Sequence, residues 1–333
     1  MMKKREYGLD LLKALACLGV VSLHTLHPGK GPVNLLIAML STLCIPLFFT
    51  ASGYLMLKRP ALTWRYAAKK IVTILLVCLC WEALHAAAHF AVYREVRAFV
   101  KSWLMDFFQQ GLFYHFWYMG GLILVYLVMP LLDRLMKRSP GVYRAILVGL
   151  GILNAVLDIL AVVLKSQTVL AIPQSLRFHF WLFYAMLGGY MARNPAQVAK
   201  IGSRLKVWHL AGILAIMVLY VRSVSILVFG GIPCEAFYGS LPVQTAAFAV
   251  MVPVLRLEVR EPAGRKLTFL SSLTMGIYIM HPFVLAVLNK FVPAFTEGGA
   301  VMNLLFWIVT TIICAVGTMV VQKLPVLNRL LKL

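Results

Sequence analysis

The chain has 333 residues, of which 62% are hydrophobic and 13% charged, and its mean hydropathy is +0.87. A soluble globular domain carries about 25% charged and about 45–50% apolar residues, so there is too little polar surface here to coat a water-soluble particle, and disordered, collagen-like and disulfide-scaffold classes are excluded as well. The formal charge of +21, from 32 Lys and Arg against 11 Asp and Glu, sits in short clusters between apolar stretches, the pattern of loops facing anionic lipid, with no nucleic-acid-binding module beside it.

A helix crossing roughly 30 Å of hydrocarbon needs about 20 residues. Apolar stretches of that length predict about ten spans: 8–27, 33–57, 71–92, 115–133, 143–164, 178–193, 207–224, 238–255, 268–290 and 301–323. The expected fold is an all-α polytopic membrane bundle, a single membrane domain over residues 1–333 with no soluble domain and no internal repeat. The first span follows Met-Met-Lys-Lys-Arg and has no small-residue cleavage site, so it is retained rather than removed as a signal peptide. Gly230, Gly231 and Pro233 interrupt the region between the seventh and eighth spans. With the N-terminus in the cytoplasm, Lys58, Arg59, Arg65, Lys69 and Lys70 fall inside, flanked outside by Lys30 and by Arg94, Arg97 and Lys101. Every inside segment then outweighs its outside neighbours, which predicts that both termini are cytoplasmic.

Between the third and fourth spans, residues 93–112 alternate Arg94, Glu95, Arg97, Lys101 and Asp106 with Val96, Phe99, Val100, Trp103, Leu104 and Phe107. That pattern predicts an amphipathic helix on the outer interface, placed to act as a lid. Five of the six cysteines lie inside apolar segments and read as small core residues rather than disulfides.

Ionisable residues inside spans are costly and mark candidate functional positions. The first span holds Asp10, Lys13 and His24. Eleven residues separate Lys13 from His24, about 16 Å of rise and about 1100° of rotation, so both project from nearly the same face. The competing structural role has Lys13 snorkelling to the interface beside Asp10. His115 opens the fourth span and His281 lies in the outer half of the ninth, so three histidines from three spans share a similar depth. Pro282 after His281 leaves a carbonyl without its helical partner and predicts a kink. Glu82, His85 and His89 share one face of the third span; their order does not match a zinc-binding HExxH helix, and a buried hydrogen-bonding face or a cavity wall is the favoured reading. Asn154 and Asp158 lie four apart in the fifth span, either as helix–helix contacts or as substrate contacts. No P-loop, GxGxxG or GxSxG pattern is present.

Several stretches in fixed order resemble the acyltransferase-3 family of integral-membrane acyltransferases. Leu9-Asp10-Leu11-Leu12-Lys13 through His24 is similar to its first helix, and Pro46-Leu47-Phe48-Phe49-Thr50-Ala51-Ser52-Gly53-Tyr54 to its second. His115-Phe116-Trp117-Tyr118 with Tyr126 and Pro130, and Ser271-Ser272-Leu273-Thr274-Met275-Gly276-Ile277-Tyr278-Ile279-Met280-His281-Pro282, resemble two later signatures. The likeness spans residues 9 to 282. It departs from the family where Lys13 replaces an Arg, which keeps the charge but loses the bidentate fork, and where Arg65, Lys69 and Lys70 correspond only loosely to a basic Arg-x-x-Arg pattern.

The resemblance implies a multi-pass protein of a cell membrane, bacterial in type, moving an acyl group, most often acetyl, from acyl-CoA to a hydroxyl. The acceptor would be a sugar, an envelope glycan or another small alcohol, with no metal and no nucleic acid; a homo-oligomer is compatible with it. His24 is the expected general base, with His281 and Tyr278 as catalytic partners. Lys13, Arg65, Lys69 and Lys70 are expected to bind the CoA. Asp10, Glu82, His115, Trp117, Tyr118 and Asp158 are expected to contact the acceptor. Two rival readings stand beside this one: a proton-coupled transporter of an amino-acid-like solute, using the intramembrane His, Glu82 and Asp158, and a non-catalytic envelope scaffold. The transporter reading calls for paired broken helices in inverted repeats, which the sequence does not show.

Overall fold

The computed structural model describes residues 6–94, 98–325 and 327–331; Lys3, Lys4, Arg5, Glu95, Val96, Arg97 and Lys332 lie outside the described residues. Among the described residues the regular elements are helices: α1 (Tyr7–Thr25), α2 (Pro32–Ser41), α3 (Cys44–Leu57), α4 (Trp64–Tyr93), α5 (Phe99–Asp106), α6 (Trp117–Arg138), α7 (Pro140–Val163) and α8 (Thr168–Ala171). They continue with α9 (Phe178–Arg193), α10 (Pro195–Arg204), α11 (Val207–Val224), α12 (Leu241–Arg256), α13 (Glu261–Phe291), α14 (Ala294–Glu297) and α15 (Ala300–Lys323). Helix starts follow local chemistry. Thr63 caps α4 by accepting from the Tyr66 amide at 3.2 Å, and prolines occupy the first turns of α2, α7, α10, α12 and α13, where a missing N–H costs nothing.

Each of the ten predicted spans falls on helix. Eight are long and apolar enough to cross a membrane: α1, α2 with α3, α4, α6, α7, α11, α13 and α15. The other two, α9 and α12, have 16 residues each, short of the roughly 20 of a full crossing. Both are enclosed by protein: Trp181, Tyr184, Ala185 and Met186 in α9 and Val243, Ala246, Met251 and Val252 in α12 are fully buried.

The second span departs from the continuous 33–57 helix expected. It breaks at Thr42–Leu43, because Pro46 has no N–H to offer the carbonyl of Thr42 four residues earlier. Further on, α11 ends in a π-helical turn, Ser225–Phe229, that leads into left-handed Gly230 with φ of 64°; such turns are commonly found near functional sites. The amphipathic segment forms α5, with Val100 and Leu104 turned outward and Asp106 and Phe107 inward.

Lipid offers no hydrophobic drive for one helix to join another, so close backbone contact does this work. The tightest crossing joins α3 to α9. A Cβ on Gly53 would lie 1.9 Å from the Ala185 carbonyl oxygen, and one on Gly188 would lie 1.9 Å from that of Thr50. At the C-terminal end of α9, buried Asp133 of α6 accepts from Arg193 at 2.9 Å, Lys137 at 2.6 Å and the Leu62 amide at 3.1 Å. These bonds clasp α6, α9 and the loop before α4. Gly188→Ala should force this crossing apart and destabilise the protein by about 1–3 kcal/mol; a thermal melt in detergent superimposable on wild type would contradict the crossing.

Candidate active site

Inside α13, Pro282 leaves the Tyr278 carbonyl without a helical donor, and the neighbouring imidazole takes that place: His281 Nδ1 lies 2.7 Å from the Tyr278 oxygen. Because a carbonyl only accepts, Nδ1 carries the proton and the lone pair of His281 sits on Nε2. That atom is buried and has no partner. The Tyr278 hydroxyl donates to the carbonyl of His115, which opens α6 within a 3-10 turn, Tyr114–Phe116. One tyrosine thus ties α13 to the start of α6.

The three predicted histidines converge. The rings of His24 and His281 are 5.1 Å apart between centroids, as are those of His115 and His281. Tyr114 Oη shares a hydrogen bond of 3.2 Å with His24 Nδ1. Their accessibility differs: His281 and His115 are buried at 0% and 2% exposure, whereas His24, in the last turn of α1, is exposed.

His24 faces a cavity of about 280 Å³ whose walls include His115, Trp117, Tyr118, Tyr278 and Tyr238. A second cavity, of about 650 Å³, is lined by Lys13, Cys17, Ser52, Tyr126, Ser271 and Gln322 among others. The two share Val20, Ile45, Tyr118 and Tyr278 in their walls. The Lys13 and His24 stripe of α1 therefore runs from one cavity into the other. Ile45 reaches both because the chain restarts as α3 just beyond the Thr42 break.

Other expected residues lie elsewhere. His281 stands behind His24 and lines neither cavity. Asp10 is buried, accepting from Thr268 Oγ1 at 3.1 Å. Arg65 and Lys69 are exposed on α4, and with half-buried Lys70 they line neither cavity. Glu82 is buried, 3.7 Å from His85 Nδ1. Asp158 accepts from Tyr220 and borders a separate, mainly apolar cavity. Neither acid lines the His24 cavity: Asp158 is held by a neighbouring helix through Tyr220, while both Glu82 oxygens are buried without a hydrogen bond, so Glu82 does not form the hydrogen-bonding face expected of it.

Polar residues outside the spans, which intramembrane charge does not mark, complete the His24 cavity. Gln109 follows α5, Gln174 precedes α9, and Glu235 lies in the turn before α12. The Gln174 amide donates to Gln109 Oε1 at 2.7 Å, and Gln174 Nε2 donates to Glu235 Oε2. Behind them, Arg177 donates to the carbonyls of Ile172 and Glu235, each at 2.9 Å.

The fold and site define a polytopic helical membrane protein with an imidazole at the edge of an internal cavity. The chain belongs to the acyltransferase-3 family: residues 6–323 match its acyltransferase domain, so it is a membrane acyltransferase by family. It is also 23% identical, over 348 residues, to an amino-acid racemase of Enterococcus faecalis, an alignment covering 94% of this chain and 46% of that protein. The chain thus spans less than half the length of this relative. No solved structure matches it.

The segment entering His115 is pinned from below. Asp106 Oδ1 accepts from the Phe113 amide at 3.1 Å, while Oδ2 is buried without a partner. Burial, reinforced by the adjacent Glu82 carboxyl, pushes the Asp106 carboxyl up to about 8, against an opposing pull from the Phe113 amide. The folded protein therefore holds a proton that an unfolded chain, with Asp titrating near 3.9, releases. The associated stability is complete below about pH 4 and is lost as pH rises toward 8. Asp106→Asn mimics the protonated carboxyl, so its melting temperature should fall less than that of wild type between pH 5 and 8; parallel pH dependences would contradict this.

Proposed function

We propose that this chain transfers an acyl group, acetyl being the simplest case, from acyl-CoA to a hydroxyl of a sugar or other small alcohol, with His24 as general base. The observation that carries the reading is the pair of adjoining cavities, one bordered by the accessible imidazole of His24 and the other by Lys13. CoA is a polyanion with a long thin arm. Its phosphates suit the Lys13 end, set at the cytoplasmic face by the charge pattern, and its thioester then lies toward the wall formed by Tyr118 and Tyr278. The acceptor occupies the His24 cavity.

In the transfer, His24 Nε2 takes the hydroxyl proton while Nδ1–H donates to Tyr114 Oη, the tautomer this chemistry needs. The alkoxide-like oxygen attacks the thioester carbonyl, the C–S bond of the tetrahedral adduct breaks, and the thiolate of CoA receives the proton from the imidazolium. The Trp117 indole N–H, in the cavity wall, is the candidate donor to the developing oxyanion; the Tyr278 hydroxyl is already engaged by His115. His281 acts as a positioning residue, its Nε2 lone pair lying beside the ring that becomes cationic.

Purified protein assayed with acetyl-CoA and a hydroxyl acceptor tests this directly. His24→Ala should lower kcat by about 10²–10⁴-fold, whereas Lys13→Ala should act mainly by raising the KM for acetyl-CoA. Wild-type turnover in the His24 variant would remove the base assignment.

A further inference from the structure

We infer that Glu82 of α4 and Asp106 of α5 share one proton and that this acid pair is a positioning element for His24. While the proton is held, the 107–116 segment lies closed on α4 with Tyr114 against His24; when it is lost, the segment lifts. The catalytic meaning of that motion rests on the reading of His24 as general base, whereas the latch itself does not.

Three observations carry it. The first is a shortage of donors. Glu82 is 1% exposed and Asp106 0%, and Glu82 Oε1, Glu82 Oε2 and Asp106 Oδ2 are all buried without a partner. The two carboxyls adjoin. As carboxylates both would only accept, but one that keeps its proton gains an O–H and donates it to the other. A second ionised carboxyl beside a first is strongly disfavoured away from water. The second observation is the surroundings. From α4, Cys78 faces Asp106, and His85 Nδ1 lies 3.7 Å from Glu82 Oε2, its ring meeting those of His89 and Phe113 edge-on. His115 follows in the segment, with its ring 5.8 Å from that of Phe113. Among the described residues no lysine or arginine pairs with either acid. One imidazole cannot neutralise two carboxylates, so loss of the proton leaves uncompensated charge buried where α4 meets α5.

The third observation is the connection to the site. Asp106 Oδ1 accepts from the Phe113 amide at 3.1 Å. A Cβ on Gly111, whose φ is 100°, would lie 2.5 Å from the same oxygen, so the turn is folded tightly over the acid. The next residues are Tyr114, bonded to His24 Nδ1 at 3.2 Å, and His115, whose carbonyl Tyr278 holds. Within the turn, Gln109 reaches Gln174 and Glu235. A shift of this one segment therefore loosens the orienting partner of His24 and opens the cavity wall beside Cys234.

The test reads the latch without any acyl donor, as site-resolved alkylation of half-buried Cys234 by iodoacetamide, on the full chain in detergent between about pH 6 and 9. Dividing each rate by that of Asp106→Asn at the same pH removes the ionisation of the thiol itself, and Glu82→Gln serves as a second reference. For wild type the ratio should stay near one at about pH 6 and rise about threefold or more by pH 9, as the open segment becomes populated. In each of the two amide variants the new side chain donates to the remaining carboxylate, so neither should open with pH. Asp106→Ala, which loses both bonds, should label fast at every pH. A flat wild-type ratio, or a Glu82→Gln variant that opens as wild type does, overturns the inference. With acetyl-CoA and a hydroxyl acceptor, wild-type kcat should fall above about pH 8, where the pair gives up its proton, while Asp106→Asn keeps its rate. A working latch in a protein that transfers no acyl group at any pH overturns the acyl-transfer reading instead and leaves the latch standing.

Discussion

The carbonyl that Pro282 strips of its helical donor is the point on which the site turns. In hydrocarbon an unsatisfied backbone oxygen costs several kcal/mol, and His281 removes that cost by donating its Nδ1 proton to Tyr278. The bond fixes the His281 tautomer and turns its Nε2 inward. The same tyrosine's hydroxyl holds the His115 carbonyl, so α13 and the start of α6 are bound through one side chain. His24 completes the group from α1, and its ring is the one that reaches open space.

Around this knot the bundle is made to approach closely at some crossings and to open at others. Glycines bring α3 and α9 into backbone contact, and Asp133 clasps the far end of α6 to α9. The Pro46 break in the second span works the other way, opening the α2–α3 junction where Ile45 meets both cavities. Tyr118 and Tyr278 stand in the shared wall, so residues that fasten the helices also divide the space assigned to donor and acceptor.

Much of this was legible in the sequence because ionisable groups are rare in apolar spans. His24, His115 and His281 stood out for that reason, and the angular arithmetic of α1 placed Lys13 and His24 on one face. The carbonyl freed by Pro282 was legible too, though not that His281 itself would capture it. Glu82 and Asp158 drew the same attention; Asp158 is held by Tyr220, whereas both Glu82 oxygens are buried without a hydrogen bond. Gln109, Gln174 and Glu235 were hidden for the opposite reason. They lie outside the spans, where polar residues are ordinary, and are joined only by the fold, with Gln109 separated from Glu235 by 126 positions. No helical period reports a contact of that kind.

The account makes α1 the axis of the reaction, with phosphates at one end and an imidazole at the other. A structure of the protein with a non-hydrolysable acetyl-CoA analogue addresses that claim most directly. It should show the nucleotide end beside Lys13 and the acyl carbonyl past Tyr118 and Tyr278, within the ~3–3.5 Å of attack distance from a site that His24 Nε2 can reach. An analogue lodged instead in the cavity bordered by Asp158, or with its acyl group directed away from His24, would contradict the account.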